Sequence, residues 1–228
     1  MKTIIPIIFL LLFFNIIYAQ ELIVTRDIGV WGGIVIKKEI FNHVKIDLEQ
    51  QLRTSKNATR IYQCHSDVGL KYSIDKQFGL GANIRYFYKA TPHSDPKVNL
   101  RYSLNINYKR KLLRRLHLYY RLTYQKTFIN IRRHYAYNPQ KISRSNVRNK
   151  IKLKVKYGKI HEFYFSCEIF RETTLFKEPY FDAIRLYIGD IVKSNFGKFN
   201  FALGIDREIQ KKYPNLYLFA KIIYLYEL

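Results

Sequence analysis

The feature that most constrains the fold is an alternation of apolar and polar residues that repeats along almost the whole chain. In residues 44–53 the apolar set is Val44, Ile46, Leu48 and Leu52, and the polar set is Lys45, Asp47, Glu49, Gln51 and Arg53. Successive side chains of a β-strand point to opposite faces, so a period of two predicts strands. An amphipathic helix would need a period near 3.6 residues, which this segment lacks.

Eleven segments show this alternation. They are centred near Ile34, Leu48, Leu70, Ile84, Leu104, Leu122, Leu153, Phe165, Leu186, Leu203 and Ile222. Short connections are predicted near 41–42, 75–76, 112–113, 159–160 and 194–195, and longer polar ones near 54–60, 90–96, 129–146, 173–179 and 210–215. Short turns on one rim and long loops on the other are typical of outer-membrane barrels, which normally have an even number of strands. We therefore predict an all-β, antiparallel up-and-down transmembrane barrel of twelve strands, with 21–40 split in two, and ten strands as second choice.

The N-terminus predicts export. Lys2, an apolar run over 4–17 and a small residue at Ala19 have the layout of a secretory signal peptide. The run is shorter than the roughly 20 apolar residues that a membrane-spanning helix needs, and no later run is long enough. We expect residues 1–19 to be the signal peptide and 20–228 to form a single barrel domain in the bacterial outer membrane.

Charge and cysteine content limit the partners. The 40 Lys and Arg exceed the 17 Asp and Glu, giving a formal net charge of +23. Such an excess often indicates nucleic-acid binding, but an exported chain meets lipid phosphates first, so we predict no nucleic-acid partner. Cys64 and Cys167 could pair in an oxidising compartment, yet two cysteines make no disulfide framework, and their pairing stays open. The sequence gives no oligomeric state.

The alternation alone is compatible with a barrel whose apolar side chains face the interior and with one whose apolar side chains face outward. A barrel of ten to twelve strands is too wide for side chains to fill easily, which favours apolar residues outside and polar residues in the lumen. Tyrosines near strand ends fit a membrane interface, although tyrosine also favours strands in general. These are Tyr86, Tyr88, Tyr108, Tyr124, Tyr157, Tyr224 and Tyr226. The last segment carries an apolar face up to Leu228, which resembles the C-terminal signal that the outer-membrane insertion machinery recognises, although it does not end on an aromatic residue.

Short motifs also resemble a known family, the DUF2490 family of uncharacterised bacterial outer-membrane barrels. The residues that carry the resemblance are Asp27, Gly29, Val30, Trp31, Leu48, Glu49, Gln50, Leu52, Arg53, Asp67, Gly69, Leu70, Tyr72, Leu80, Gly81, Ile84, Arg85, Tyr86, Arg148, Asn149, Lys150, Arg207 and Glu208. The resemblance implies the architecture. It implies no activity, because the family has none assigned.

Three groups of charged residues are candidate sites. We expect a lumenal charge network of Asp47, Glu49, Arg53, Arg85, Arg101 and Arg121, in which the two acids pair with Arg85 or Arg53, because isolated buried charges are costly. An anion path is predicted along Lys150, Lys152, Lys154 and Lys156, since one sign of charge in a lumen concentrates anions. Phosphates of lipopolysaccharide could be contacted by Arg132, Arg133, Lys141 and Arg144, or that loop is simply solvated.

Little in the sequence favours catalysis. The six histidines lack metal-ligand spacing and no nucleophile motif appears, so we predict no catalytic, cofactor-binding or metal residue. The leading hypothesis is an outer-membrane barrel with a structural role or passive, anion-preferring passage. The alternatives are a barrel-embedded hydrolase acting on lipid or peptide, with His65, Ser66 and Asp67 as its most suggestive group, and a soluble secreted barrel that binds an apolar ligand.

Overall fold

A computed structural model describes residues 25–91, 94–131, 143–173, 178–210 and 214–228, and these form one closed β-barrel. Its strands are β1 (Thr25–Phe41), β2 (Val44–Ser55), β3 (Arg60–Ser73), β4 (Phe78–Thr91), β5 (Ser94–Lys111), β6 (Leu116–Phe128), β7 (Ser143–Tyr157), β8 (His161–Glu172), β9 (Tyr180–Ser194), β10 (Gly197–Glu208) and β11 (Asn215–Glu227). Each segment predicted from alternation coincides with one strand. Within these residues no helix is long and apolar enough to cross a membrane.

The barrel closes through a parallel pair of strands. Consecutive strands pair in an antiparallel manner, whereas β1 pairs with β11 in parallel, with Thr25 opposite Asn215 and Lys37 opposite Glu227. The prediction of twelve strands was therefore wrong, and so was the second choice of ten. An up-and-down barrel needs an even number of strands only when its first and last strands pair in an antiparallel manner. Because β1 and β11 pair in parallel, the sheet closes with eleven strands. The expected division of 21–40 is absent from its described part, which lies within β1.

The two rims carry different connections. We call the edge with the connections after odd-numbered strands the turn rim, and the opposite edge the loop rim. Connections on the turn rim are short, as predicted, and the widest connection on the loop rim separates Phe128 from Ser143. The predicted loops at 54–60 and 90–96 are shorter than expected, because β2 to β5 extend into them. In the first of these segments Ser55 and Arg60 belong to strands and line the cavity, so their polarity did not mark the strand ends.

Apolar side chains cover the outside of the barrel and polar side chains line the inside. On the outer face Ile34, Leu104 and Leu203 are 52%, 63% and 64% exposed. On the inner face Asn105 and Thr123 are 8% and 5% exposed. This polarity is the reverse of that of a soluble barrel, which buries its apolar face.

Aromatic rings contact each other between neighbouring strands near the rims. Near the turn rim the ring centroids of Phe78 and Tyr108 lie 4.9 Å apart, those of Tyr157 and Phe163 6.4 Å, and those of Phe199 and Tyr224 5.1 Å. Near the loop rim Tyr102 and Phe128 are 6.0 Å apart. The outer face therefore has aromatic contacts toward both rims, and exposed Phe165 and Phe201 also lie among the aliphatic residues between them.

One apolar cluster lies inside the barrel, on β1 and on β8 to β11. Its members are Trp31, Tyr164, Tyr187, Ile191, Ala202 and Phe219. Gly189 lets Tyr164 approach closely, because a Cβ there would lie 2.7 Å from the Tyr164 ring. This cluster narrows the interior on one side. The two cysteines, on β3 and β8, are both free.

Candidate functional site

The interior contains a cavity of about 1050 Å³. Its wall extends from Lys56 and Arg60 beside the loop rim to Lys37 and Lys71 near the turn rim. Among the described residues, fifteen Lys and Arg line it, against eight Asp and Glu. The cavity is therefore the place where most inward-facing charges of the barrel meet.

Five arginines from different strands form what we call the arginine layer. They are Arg53 on β2, Arg85 on β4, Arg101 on β5, Arg148 on β7 and Arg185 on β9, and all line the cavity. Arg101 interacts electrostatically with the other four. The strand register contributes to this grouping, because Arg85 and Arg101 are direct partners across β4 and β5.

Three carboxylates lie within ion-pair distance of this layer. Arg85 Nε is 2.7 Å from Asp67 Oδ2, and Arg148 Nη2 is 2.5 Å from Glu168 Oε1. Arg185 pairs with Asp206, its Nε lying 3.0 Å from Asp206 Oδ2. Its Nη1 lies 3.6 Å from Glu168 Oε2. Glu168 thus joins two arginines, and its side chain is only 4% exposed.

Aromatic rings hold the guanidinium groups of the layer. Trp31 stacks on Phe219 with a centroid distance of 3.8 Å. The guanidinium carbons of Arg53 and Arg185 lie 4.0 and 5.0 Å from the centroid of the Trp31 ring. A cation over an aromatic face is attracted by the ring quadrupole. These contacts fix the arginines in position.

The predicted lumenal network is brought together on one wall, but with different partners. All six of its residues line the cavity. Asp47 Oδ1 lies 2.6 Å from Lys71 Nζ, and Glu49 Oε1 lies 3.1 Å from His65 Nε2, in place of the expected Arg85 or Arg53. Gly69 is the reason for the position of Asp47, because a Cβ on this glycine would lie 2.8 Å from its carboxylate oxygens. Such diagonal contacts depend on register, which the sequence did not reveal.

Three arginines of that network have neutral partners. Arg53 Nε donates to Gln51 Oε1 at 2.7 Å, Arg101 Nε to Thr127 Oγ1 at 2.9 Å, and Arg121 Nε to Asn107 Oδ1 at 2.7 Å. No carboxylate in the described part of the chain lies within 4.0 Å of these guanidinium groups. Within that part of the chain, no direct ion pair neutralises their positive charges.

The four lysines predicted as an anion path form what we call the lysine ladder on β7. Lys150 hydrogen-bonds the Tyr187 hydroxyl, and Lys152 lies 4.5 Å from the centroid of the Tyr164 ring. Lys154 Nζ lies 2.7 Å from Glu162 Oε2. Of the four, Lys150 lines the cavity, and Lys156 is exposed near the turn rim. The ladder is therefore covered by tyrosines and a carboxylate along much of its length.

The acidic residues of β8 were missed by the sequence analysis. Glu162, Glu168 and Glu172 are all buried on the inner face. The sequence did indicate their position, because the three residues are separated by even numbers of positions in one strand and therefore face the same side. Ring and charge partners such as Trp31 and Arg185 required the three-dimensional arrangement.

The predicted lipopolysaccharide contacts are only partly described. Arg132, Arg133 and Lys141 lie outside the described residues. Arg144 belongs to β7 and lines the cavity, with its Nε 3.2 Å from Glu172 Oε2. This arginine faces the interior at the loop rim, so it is not placed as an outward-facing lipid contact.

The suggested group of His65, Ser66 and Asp67 is not brought together. Consecutive strand residues point to opposite faces, so His65 and Asp67 face inward and Ser66 outward. Ser66 Oγ donates to Gln50 Oε1 at 2.5 Å. On the outer face near the turn rim, His161 Nδ1 lies 2.6 Å from Asp190 Oδ2. The described residues contain no group of three or more His, Cys, Asp and Glu that could hold a metal ion.

Comparison with known proteins gives a family without an assigned activity. The family model described as "Protein of unknown function (DUF2490)" matches residues 28–206. No curated protein and no solved structure matches the chain. The match spans β1 to most of β10 and contains the whole arginine layer.

Proposed function

The chain belongs to the DUF2490 family of proteins of unknown function, and we propose that it is an outer-membrane β-barrel through which small anions pass passively. The observation that carries this proposal is the polarity of the wall. Apolar side chains face outward and charged side chains face a cavity, an arrangement that suits lipid outside and water inside. No sequence motif or described cluster favours an enzyme.

The outer face supports the membrane location. Its exposed side chains are mostly apolar, with aromatic contacts toward both rims, and aromatic rings are common at membrane interfaces. Cations also lie beside such rings near the loop rim. Lys126 Nζ is 5.4 Å from the Phe128 ring centroid, and the Arg171 guanidinium is 6.0 Å from that of Phe181. In the proposed barrel the loop rim faces outward, and these two residues are suited to contact lipopolysaccharide phosphates there.

The excess of cations along the cavity supports the preference for anions. A wall of one predominant sign raises the local concentration of ions of the opposite sign. The same wall argues against an apolar ligand, because such a ligand would have to desolvate many charged groups.

Two measurements test the proposal. The full chain, expressed in a Gram-negative host, should be found in the outer-membrane fraction and require detergent for extraction. Reconstituted in a planar bilayer under a KCl gradient, it should give a reversal potential of the sign expected for chloride preference. Recovery as a detergent-free soluble protein would refute the membrane location. A flat current trace, or a preference for potassium, would refute the passage of anions.

A further inference from the structure

We propose that the arginine layer is a binding site for the phosphate group of a dissolved anion, with Arg53 and Arg101 as its principal donors. The inference deepens the proposed function and rests on it, because the ligand reaches the layer through the cavity. A binding site differs from a merely attractive wall, since it saturates and discriminates among anions of similar charge.

The first support is the set of free donors. In both Arg53 and Arg101 the Nε atom is engaged by a neutral side chain, which orients the guanidinium plane. Their Nη atoms have no hydrogen-bond partner among the described residues, and both side chains line the cavity. A guanidinium presents its Nη donors as a rigid fork that matches the oxygens of phosphate.

The second support is the charge balance. The layer has five arginines, and three carboxylates, Asp67, Glu168 and Asp206, lie within 4.0 Å of them. This leaves two positive charges. Glu49, which interacts electrostatically with Arg85, adds one negative charge, and Lys221, which interacts electrostatically with Arg53 and Lys150, adds two positive charges together with Lys150. A multivalent oxyanion such as hydrogen phosphate balances this excess better than a single chloride does.

The third support is preorganisation. Arg53 is held over Trp31, and Arg101 lies 5.0 Å from the centroid of the Phe87 ring. Residues that are already fixed in the binding geometry lose less conformational entropy when a ligand binds. The surrounding rings also lower the local dielectric constant, which strengthens charge-assisted hydrogen bonds.

Titration calorimetry of the detergent-solubilised full chain with inorganic phosphate, at constant ionic strength set by KCl, tests the inference. We expect saturable binding to the wild type and a loss of affinity of about tenfold or more in Arg53→Gln/Arg101→Gln, because two charge-assisted contacts are removed. Arg114→Gln/Arg115→Gln is the matched control. It removes the same charge from the exposed turn between β5 and β6, away from the cavity, and should leave phosphate affinity unchanged.

A conservative variant separates donor geometry from charge. Arg53→Lys/Arg101→Lys keeps both charges but loses the forks, so phosphate affinity should fall while preference for chloride over potassium is retained. It also keeps the test valid if the glutamine variant does not fold, as judged by heat-modifiable mobility on a gel.

The outcomes are distinct. Absence of saturable phosphate binding, or an equal loss of phosphate affinity in the turn-rim control Arg114→Gln/Arg115→Gln, would overturn the inference. If the wild-type protein conducts chloride but does not bind phosphate, the phosphate site is refuted and the proposed passage of anions stands. Phosphate binding by a barrel that shows no anion preference would leave the site in place and overturn the proposed passage.

Discussion

The arginine layer and the lysine ladder are both rows of inward-facing cations, but their neighbours differ. In the ladder, Lys150, Lys152 and Lys154 each contact a tyrosine, and Lys154 also pairs with Glu162. In the layer, Arg53 and Arg101 line the cavity, and within the described residues their hydrogen bonds and ring contacts are made with neutral side chains. The cations of the inner wall therefore differ in how far neighbouring side chains cover them. The ladder mainly fills space, and the layer is available to a ligand.

The largest effect is expected for Glu168→Gln in the layer. This change removes the carboxylate that Arg148 and Arg185 share, and it leaves two poorly solvated cations close together. Loss of one partner from a buried ion pair typically costs about 3 to 5 kcal/mol of the free energy of unfolding. Denaturant unfolding in detergent measures it, and fluorescence of Trp31, the only tryptophan of the chain, reports on the layer itself. An unchanged transition midpoint would mean that the layer does not depend on its carboxylates.

A smaller loss is expected for Glu162→Gln in the ladder. Glu162 binds Lys154 and Lys193 at 2.7 and 2.8 Å, but Lys193 lies close to the turn rim and can reach water. We expect a loss of about 1.5 to 3 kcal/mol, as for a hydrogen bond to a charged group. Glu39→Gln is the control, because the Lys45–Glu39 pair is half-exposed and should contribute less than about 1 kcal/mol. A loss for Glu162→Gln as large as that for Glu168→Gln would remove the distinction between the two regions.

Ion selectivity should separate the two regions more finely. Arg101→Gln should lower the chloride-to-potassium permeability ratio by a factor on the order of two, because it removes a charge that faces the cavity without a carboxylate partner. Lys152→Gln should change the ratio much less, because Lys152 is covered by Tyr164 and does not line the cavity. Reversal potentials in planar bilayers provide the measurement. Equal changes in the permeability ratio for the two variants would mean that passing ions interact with both rows of cations.

The smallest effect is expected at a turn outside both regions. Asp75 accepts hydrogen bonds from the backbone N–H groups of Gln77 and Phe78, both at 2.6 Å, and these bonds lower the pKa of its carboxyl group. A lowered folded-state pKa stabilises the fold above the unfolded pKa, and this contribution is lost as pH falls through the folded pKa. The difference in melting temperature between wild type and Asp75→Asn should therefore shrink toward low pH. A constant difference would contradict this origin.

Strand positions were predictable from sequence because side chains point alternately outward and inward along each strand. Leu104 and Leu203, for example, lie outside as their alternation requires. The strand number was not predictable, since it depends on how β1 meets β11 rather than on any local pattern. The same reasoning explains the charge partners. The alternation predicted that Asp47 and Glu49 face inward. Their pairing with Lys71 and His65 depends on the strand register and on the space left by Gly69, which the alternation does not show.

The parallel pairing of β1 with β11 has a consequence for engineering the chain. It places Thr25 beside Asn215 at the loop rim and Glu227 beside Lys37 near the turn rim. A circular permutant would therefore need a linker that runs the length of a strand, roughly 40 Å for thirteen residues at about 3.3 Å each. In the proposed membrane, epitope tags inserted directly before β1 and after β11 would become accessible from opposite compartments.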